Sequence, residues 1–145
     1  MNFSEKNIKD YILSKNRGII LLDASSRSGK SLIVRSLHLT MPKSIVTSGE
    51  TFYDTLIESC KNAKDVSAIY DHLTDYKCLF IEDFDFYGGR PKTESVFAEI
   101  FNRIALQLLI VITGIDIRQK MPYMLKSLEN YDYYVKKNMY WIKEN

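Results

Sequence analysis

The sequence predicts an α/β fold, a three-layer arrangement with a parallel sheet between two layers of helices, and three observations carry that reading. Wholly apolar runs recur along the chain: IILL at 19–22, CLFI at 78–81 and LLIVIT at 108–113. A strand that is apolar on both sides has both faces buried, as in a parallel sheet covered by helices. Segments with apolar residues at helical spacing alternate with these runs. Polar groups also stand at the end of each run: a small polar loop after Asp23, the pair Glu82-Asp83, and Thr113. Ligands of such sheets lie at the carboxyl ends of the strands, so these three groups are expected along one edge.

In order, residues 4–15 read as an amphipathic helix with Ser4 as N-cap and Ile8, Tyr11, Ile12 and Lys15 at helical spacing. Gly18 stands where a left-handed cap is wanted. A helix from Lys30 should end near Leu39, since Pro42 disfavours helix at Met41. SIVT at 44–47 reads as a short β-branched strand, and Ser48-Gly49 turns into a helix over about 50–61 that buries Phe52, Leu56, Ile57 and Cys60. Residues 65–73 carry another helical stripe of Val66, Ile69, Tyr70 and Leu73. After the second apolar strand, Gly88-Gly89 and Pro91 make a loop, and a strong helix over 91–107 places Val96, Phe97, Ile100, Phe101 and Ile104 on one face. Residues 121–129 read as helix and 131–135 as a last strand.

The chain of 145 residues suits one domain with a real core. Its apolar fraction of 46% and charged fraction of 26% are those of an ordinary globular protein. Lys and Arg total 20 against 18 Asp and Glu, a balance that gives the domain as a whole no electrostatic case for nucleic acid. No run approaches the ~18 apolar residues that span a bilayer, and the charged start carries no signal-like block. Cys60 and Cys78 lack metal-ligand spacing and read as small buried residues in a reducing compartment. The expected location is therefore cytoplasmic, with no membrane partner.

The loop from Ala24 to Ser31, ASSRSGKS, is one substitution from the phosphate-binding pattern G-x-x-x-x-G-K-[ST]. It lies between a strand-like run and a helix, where the mechanism needs it. Backbone N–H groups of Arg27 to Ser31 can curl around a phosphate if the loop is free of bulk, and the helix adds its positive dipole end. Lys30 supplies charge for the outer phosphates, and the Ser31 hydroxyl can ligate Mg²⁺. Ala24 replaces the first Gly, which the backbone accepts if that position keeps a negative φ. CLFIEDFDF, about fifty residues downstream, supplies an apolar strand ending in carboxylates. In a phosphate-loop enzyme one carboxylate serves the Mg²⁺ shell and a neighbour orients the attacking water. A solvated acidic turn is the alternative reading of Glu82, Asp83 and Asp85.

The order of the phosphate loop, VTSGETFYDTL, LFIEDFDF, ESVFAEIFNRI and LIVITG resembles the AAA+ module of the DnaA group. That group comprises the initiator DnaA, its regulator Hda and helicase loaders of the DnaC type. NFSEKN at the start is similar to the segment bordering their adenine pocket. The resemblance implies a P-loop NTPase core of AAA+ type over residues 1–145, stopping about where a helical lid would begin. Position by position it assigns Ala24, Ser25, Ser26, Arg27, Ser28, Gly29, Lys30 and Ser31 to the phosphates. Ser31 and Glu82 fall to Mg²⁺, Asp83 to water activation and Thr113 to sensing the γ-phosphate. ATP or ADP with Mg²⁺ is the implied cofactor, and initiation of chromosomal replication or its regulation is the implied function. Implied partners are replication proteins (initiator, sliding clamp or helicase), and direct contact with DNA stays open. A helicase loader or a non-hydrolysing nucleotide-dependent adaptor is the alternative.

Where the family carries a Ser-Arg pair reaching a neighbouring subunit's nucleotide, this chain has Lys126-Ser127-Leu128. The resemblance therefore implies at most a slow ATPase, with Arg103 and Arg118 as the only nearby substitutes. His38 and His72 read as surface or packed residues rather than ligands. Tyr131, Tyr133, Tyr134, Tyr140 and Trp141, beside Lys136-Lys137, read first as an edge strand with aromatic packing. Stacking on single-stranded nucleic acid is the second reading.

Overall fold

A computed structural model describes residues 4–25, 29–61, 72–73, 75–84, 90–130 and 137–143, with backbone only at 56, 57 and 59–61. Its strands are β1 (Gly18–Asp23), β2 (Ser44–Ser48), β3 (Cys78–Glu82), β4 (Leu109–Gly114) and β5 (Met139–Lys143). Its helices are α1 (Glu5–Leu13), α2 (Lys30–Thr40), α3 (Gly49–Lys61), α4 (Pro91–Ile104), α5 (Ile117–Lys120) and α6 (Pro122–Asn130). The five strands form one sheet in the order β2-β3-β4-β1-β5, every neighbouring pair parallel. Gly18 pairs with Leu109 and Asp23 with Gly114, so β1 and β4 end level. Ser48 pairs with Glu82, and Ile81 with Ile112.

Alternation along the strands builds two apolar layers. Ile19, Leu21, Leu79, Ile81, Ile110 and Ile112 face one side, where Phe52 of α3, Phe97, Ile100 and Phe101 of α4, and Met124 and Leu128 of α6 cover them. Ile20, Leu22, Cys78, Phe80, Leu109 and Val111 face the other, under Ile8 and Ile12 of α1 and Ile33, Val34 and Leu37 of α2. Each such side chain contributes about 1.5–3 kcal/mol of burial. The exposed Lys9–Glu5 pair on α1, at 3.4 Å, is worth only ~0.3–0.5 kcal/mol. Apolar stripes, not charges, hold the helices to the sheet. The three-layer parallel α/β fold is the one the apolar runs predicted.

Local signals explain most boundaries. Ser4 caps α1, its hydroxyl accepting from the Asn7 N–H at 3.3 Å. Pro91 opens α4, where its missing N–H has no intrahelical partner to lose. Three expectations change. Gly18 is not a helix cap: Ser14 closes α1, and Gly18 begins β1, where both a φ of +105° and the close Asn138 carbonyl oxygen leave no place for a Cβ. The helix expected over 91–107 stops at Ile104, with Ala105 as its cap and the Ala105 carbonyl accepting from the Gly18 N–H at 3.1 Å. A fifth strand pairs with β1 at Met139–Lys143, whereas the 131–135 segment lies outside the described residues. So do Val66, Ile69 and Tyr70 of the 65–73 stripe, the loop glycines Gly88 and Gly89, and the side chains of Leu56, Ile57 and Cys60. Leu73 is buried, and Cys78 is a free, buried thiol that burial pushes up to about 12.

Candidate functional site

The loop after β1 starts with two buried residues. Asp23 ends the strand, and the Ala24 N–H donates to the Gly114 carbonyl at 3.1 Å. Ala24 is not among the residues of positive φ, so its Cβ in place of the pattern's glycine brings no backbone strain. Ser26, Arg27 and Ser28 lie outside the described residues. The chain re-enters at Gly29, the N-cap of α2, at φ +88° with open space where a Cβ would be. Glycine is needed there for its backbone angle rather than for room. Lys30 is 5% exposed, and its Nζ donates to the Ser25 carbonyl at 2.8 Å. The lysine thus ties the start of α2 back to Ser25, while Ser31 stays exposed on the first turn of α2.

The second motif is placed by packing. Phe84 is fully buried, its ring centroid 4.7 Å from Phe97 and 5.4 Å from Phe101, and Phe52 stacks on Phe101 at 5.7 Å. That aromatic cluster anchors the chain directly after Glu82-Asp83. Gly49 at the start of α3 fixes it from the other side: a Cβ there would lie 2.8 Å from the Asp83 carbonyl oxygen. Asp83 adopts φ +55°, which Asp tolerates better than most residues, and its N–H donates to Thr113 Oγ1 at 3.3 Å. Glu82, Asp83 and Thr113 therefore meet at the carboxyl ends of adjacent strands. Asp85 lies outside the described residues.

Glu82 carries the unusual electrostatics. Its Oε1 is buried without a hydrogen-bond partner. Burial pushes its carboxyl above the usual carboxylate range, the Asp83 charge adds to the push, and the Arg35 guanidinium pulls it back. Arg35 was missed from the sequence, yet it stands four residues after Ser31, on the same face of α2. The folded chain holds the Glu82 proton more tightly than the unfolded one. Its contribution to stability is therefore present at acid pH and is lost as pH rises through the raised value. Glu82→Gln should raise the melting temperature near neutral pH, with the gain vanishing as pH falls into the ordinary carboxylate range. Thermal melts across that span check it; a constant difference would contradict it.

Asp23 has a different job from its neighbours on this edge. Its Oδ1 accepts from the Asp116 N–H at 2.8 Å and its Oδ2 from the Ile117 N–H at 3.2 Å, so one carboxylate caps α5. The cap joins the loop after β1 to the loop after β4, beside a cavity of about 230 Å³ lined by Asp23, Ala24, Ser25, Ile115, Asp116 and Lys143. The two substitute arginines are engaged within the chain. Arg103 pairs with Glu99 at 3.4 Å, and Arg118 lies 3.6 Å from Glu129 and 4.9 Å from the Trp141 ring centre. Leu128 is fully buried. His38 Nδ1 meets Ser44 Oγ at 2.8 Å on the surface, and among the described residues no group of three or more His, Cys, Asp or Glu side chains is set to hold a metal. Tyr140 packs edge-on against Tyr11 at 6.0 Å, as the aromatic-packing reading had it; Tyr131, Tyr133 and Tyr134 lie outside the described residues.

A parallel sheet of this strand order, with a G-K-S loop between its first strand and the next helix and carboxylates ending its third, is the α/β P-loop fold of AAA+ type. Solved structures of replication proteins share it. A DNA replication initiation factor superposes with a TM-score of 0.71 at 16% identity, covering 97% of this chain and 44% of its own. AMPPCP-bound DnaA from Aquifex aeolicus gives 0.63 at 16%, with coverages of 97% and 44%. The DnaC helicase loader gives 0.63 at 10%, with 97% and 87%. The chain thus spans under half the length of the first two, and at these identities the likeness is one of fold. No family model and no curated protein matches the sequence. No helix among the described residues is long and apolar enough to cross a membrane.

Proposed function

We propose that this chain binds ATP or ADP with Mg²⁺ at the carboxyl edge of its sheet and acts in the initiation of chromosomal replication or its regulation. One conjunction carries the reading: the buried lysine of G-K-S, held by the Ser25 carbonyl, and a buried carboxylate oxygen without a partner two strands away. An ammonium held by a carbonyl is ready to exchange it for phosphate oxygens. An unpaired carboxylate oxygen suits a hard cation, and Mg²⁺ needs only one or two protein oxygens beside water and phosphate. Residues 24–31 would cradle the phosphates, with Ser31 and Glu82 holding the ion. Bound Mg²⁺ would neutralise phosphate charge. Asp83 would orient water, and Thr113, already bonded to the Asp83 backbone, would set that carboxylate against the outer phosphate. The AMPPCP-bound DnaA of the same fold supports the choice of nucleotide.

Leu128, buried where the resemblance puts a trans-acting arginine, supports a nucleotide that works as a conformational ligand rather than a fuel. Its protein partners would be an initiator, a sliding clamp or a helicase, met in the cytoplasm. Calorimetry separates the roles. Mg²⁺ should strengthen ATP binding in the unmodified chain and in Asp83→Asn, but not in Glu82→Ala. Absence of ATP binding by the unmodified chain overturns the proposal, and loss of the Mg²⁺ effect in Asp83→Asn alone reverses the two carboxylates.

A further inference from the structure

A parallel sheet receives the chain at the amino ends of its strands, so α1, α2 and α4 all run out at the end opposite the phosphate loop, just before β1, β2 and β4. Each leaves one leucine in solvent there. Leu13 closes α1 and is 52% exposed, Leu39 lies in the last turn of α2 and is 84% exposed, and Leu106 follows α4 and is 42% exposed. These are three of the five large apolar side chains exposed among the described residues. Leucines scattered singly would mean little, but these three converge on one recess of about 320 Å³. Leu13 lines it, Leu39 stands two residues before Met41 in its lining, and Leu106 adjoins Gln107 in the same lining. Lys15, Arg17 and Lys77 bring cations to the wall, which holds no carboxylate. Lys15 is held there by Tyr140, its Nζ 4.3 Å from the ring centre. Lys43 is exposed at the same end, its carbonyl accepting from the Lys77 N–H at 2.7 Å.

We propose that this amino-end surface docks an acidic, apolar peptide segment of a partner protein, one in which large apolar side chains stand beside Asp or Glu. The recess is at the small end of the ~300–1,000 Å³ range of ligand pockets, which suits anchoring side chains rather than a folded module. The leucines offer such a segment apolar area to cover, and buried apolar anchors carry most of the energy of a protein contact. The cations select the segment by charge and speed its approach. Helix C-termini carry partial negative charge, which Lys15 and Arg17 offset after α1; that accounts for two of the cations and for none of the leucines. A polyphosphate chain would meet the cations and leave Leu13, Leu39 and Leu106 in water. A flat anionic bilayer would meet the rim without filling the recess. The surface lies at the far end of the strands from the phosphate loop and does not require nucleotide.

Selection of a random-peptide phage library on the unmodified chain, followed by fluorescence anisotropy with the enriched peptides, tests it. Enriched sequences should combine Leu, Ile, Phe or Trp with Asp or Glu. Leu13→Ser/Leu39→Ser should weaken their binding at least about tenfold, the usual effect of losing interface anchors. Arg17→Gln/Lys77→Gln should weaken it roughly three- to tenfold at low salt, and less as salt rises. Two controls should change it less than about twofold: Leu32→Ser, 65% exposed at the other end of α2, and Lys92→Gln/Lys126→Gln, an equal charge loss at exposed positions of α4 and α6. Circular dichroism of the variants should match the unmodified chain, and Leu106→Ser takes the place of the leucine pair if that pair does not. No enriched peptide, enriched peptides without acidic residues, or equal weakening by the controls would each overturn the proposal. So would binding of oligothymidylate or phosphatidylglycerol vesicles through Arg17 and Lys77 that the leucine pair leaves unchanged. Self-association of the unmodified chain in sedimentation equilibrium, abolished by the leucine pair, would give the surface to a second copy instead.

Discussion

Lys30→Ala is expected to weaken ATP binding roughly ten- to a hundredfold. The ammonium is 5% exposed and sits within 2.8 Å of the Ser25 carbonyl, so its position is set before any ligand arrives. Its charge-assisted bond to phosphate is worth ~1.5–3 kcal/mol, and every 1.4 kcal/mol is about tenfold in affinity. Little reorganisation is needed to collect that energy, since the lysine has only to trade one oxygen for another. Calorimetric titration of both proteins with Mg·ATP measures the ratio. Equal affinities would remove Lys30 from the site and with it the main support for nucleotide binding.

Asp23→Ala should cost about 2–4 kcal/mol of stability. The carboxylate is 4% exposed and takes two backbone N–H groups, and each bond to a charged acceptor is worth ~1.5–3 kcal/mol. The Asp116 end is open to solvent, so water recovers part of the loss there, while the Ile117 N–H lies in a buried bond and recovers little. For a chain of this size the melting temperature should fall by roughly 10 °C. Asp23→Asn, which keeps one acceptor oxygen, should fall about half as far. Thermal unfolding followed by circular dichroism decides; an unchanged midpoint for Asp23→Ala would mean that the cap does not hold α5.

These two residues also mark how far the sequence could be read. The placement of Lys30, Glu82, Asp83 and Thr113 at one end of the sheet was legible because it depends on short-range position, a loop at the end of one apolar run and polar groups at the ends of two others. The parallel sheet was legible because Ile19 to Leu22 and Leu109 to Ile112 send alternate residues to opposite cores, which leaves no polar face to confuse the reading. Asp23 was visible as a strand end but not as a cap, since its partners at 116 and 117 are over ninety residues away. Arg35 gave one signal, its spacing from Ser31, and nothing in sequence tied it to Glu82. The strand β5 was not read from the sequence because MYWIK buries only Ile142 fully and shows no continuous apolar run. The helix α5 has four residues, too few to show a period, and its capping carboxylate, Asp23, is distant in sequence.

The position of β1 inside the sheet has a consequence for how the chain comes off the ribosome. Its two neighbours are β4, whose pairing begins at Leu109, and β5, whose pairing begins at Met139. Residues 18–23 therefore have no native strand partner until about ninety more have been added, and no second one until thirty more follow. At ~5–20 residues per second, the wholly apolar strand β1 spends several seconds without either edge covered. Completion of the sheet around β1 is thus a late event of synthesis, although that strand lies within the first quarter of the chain.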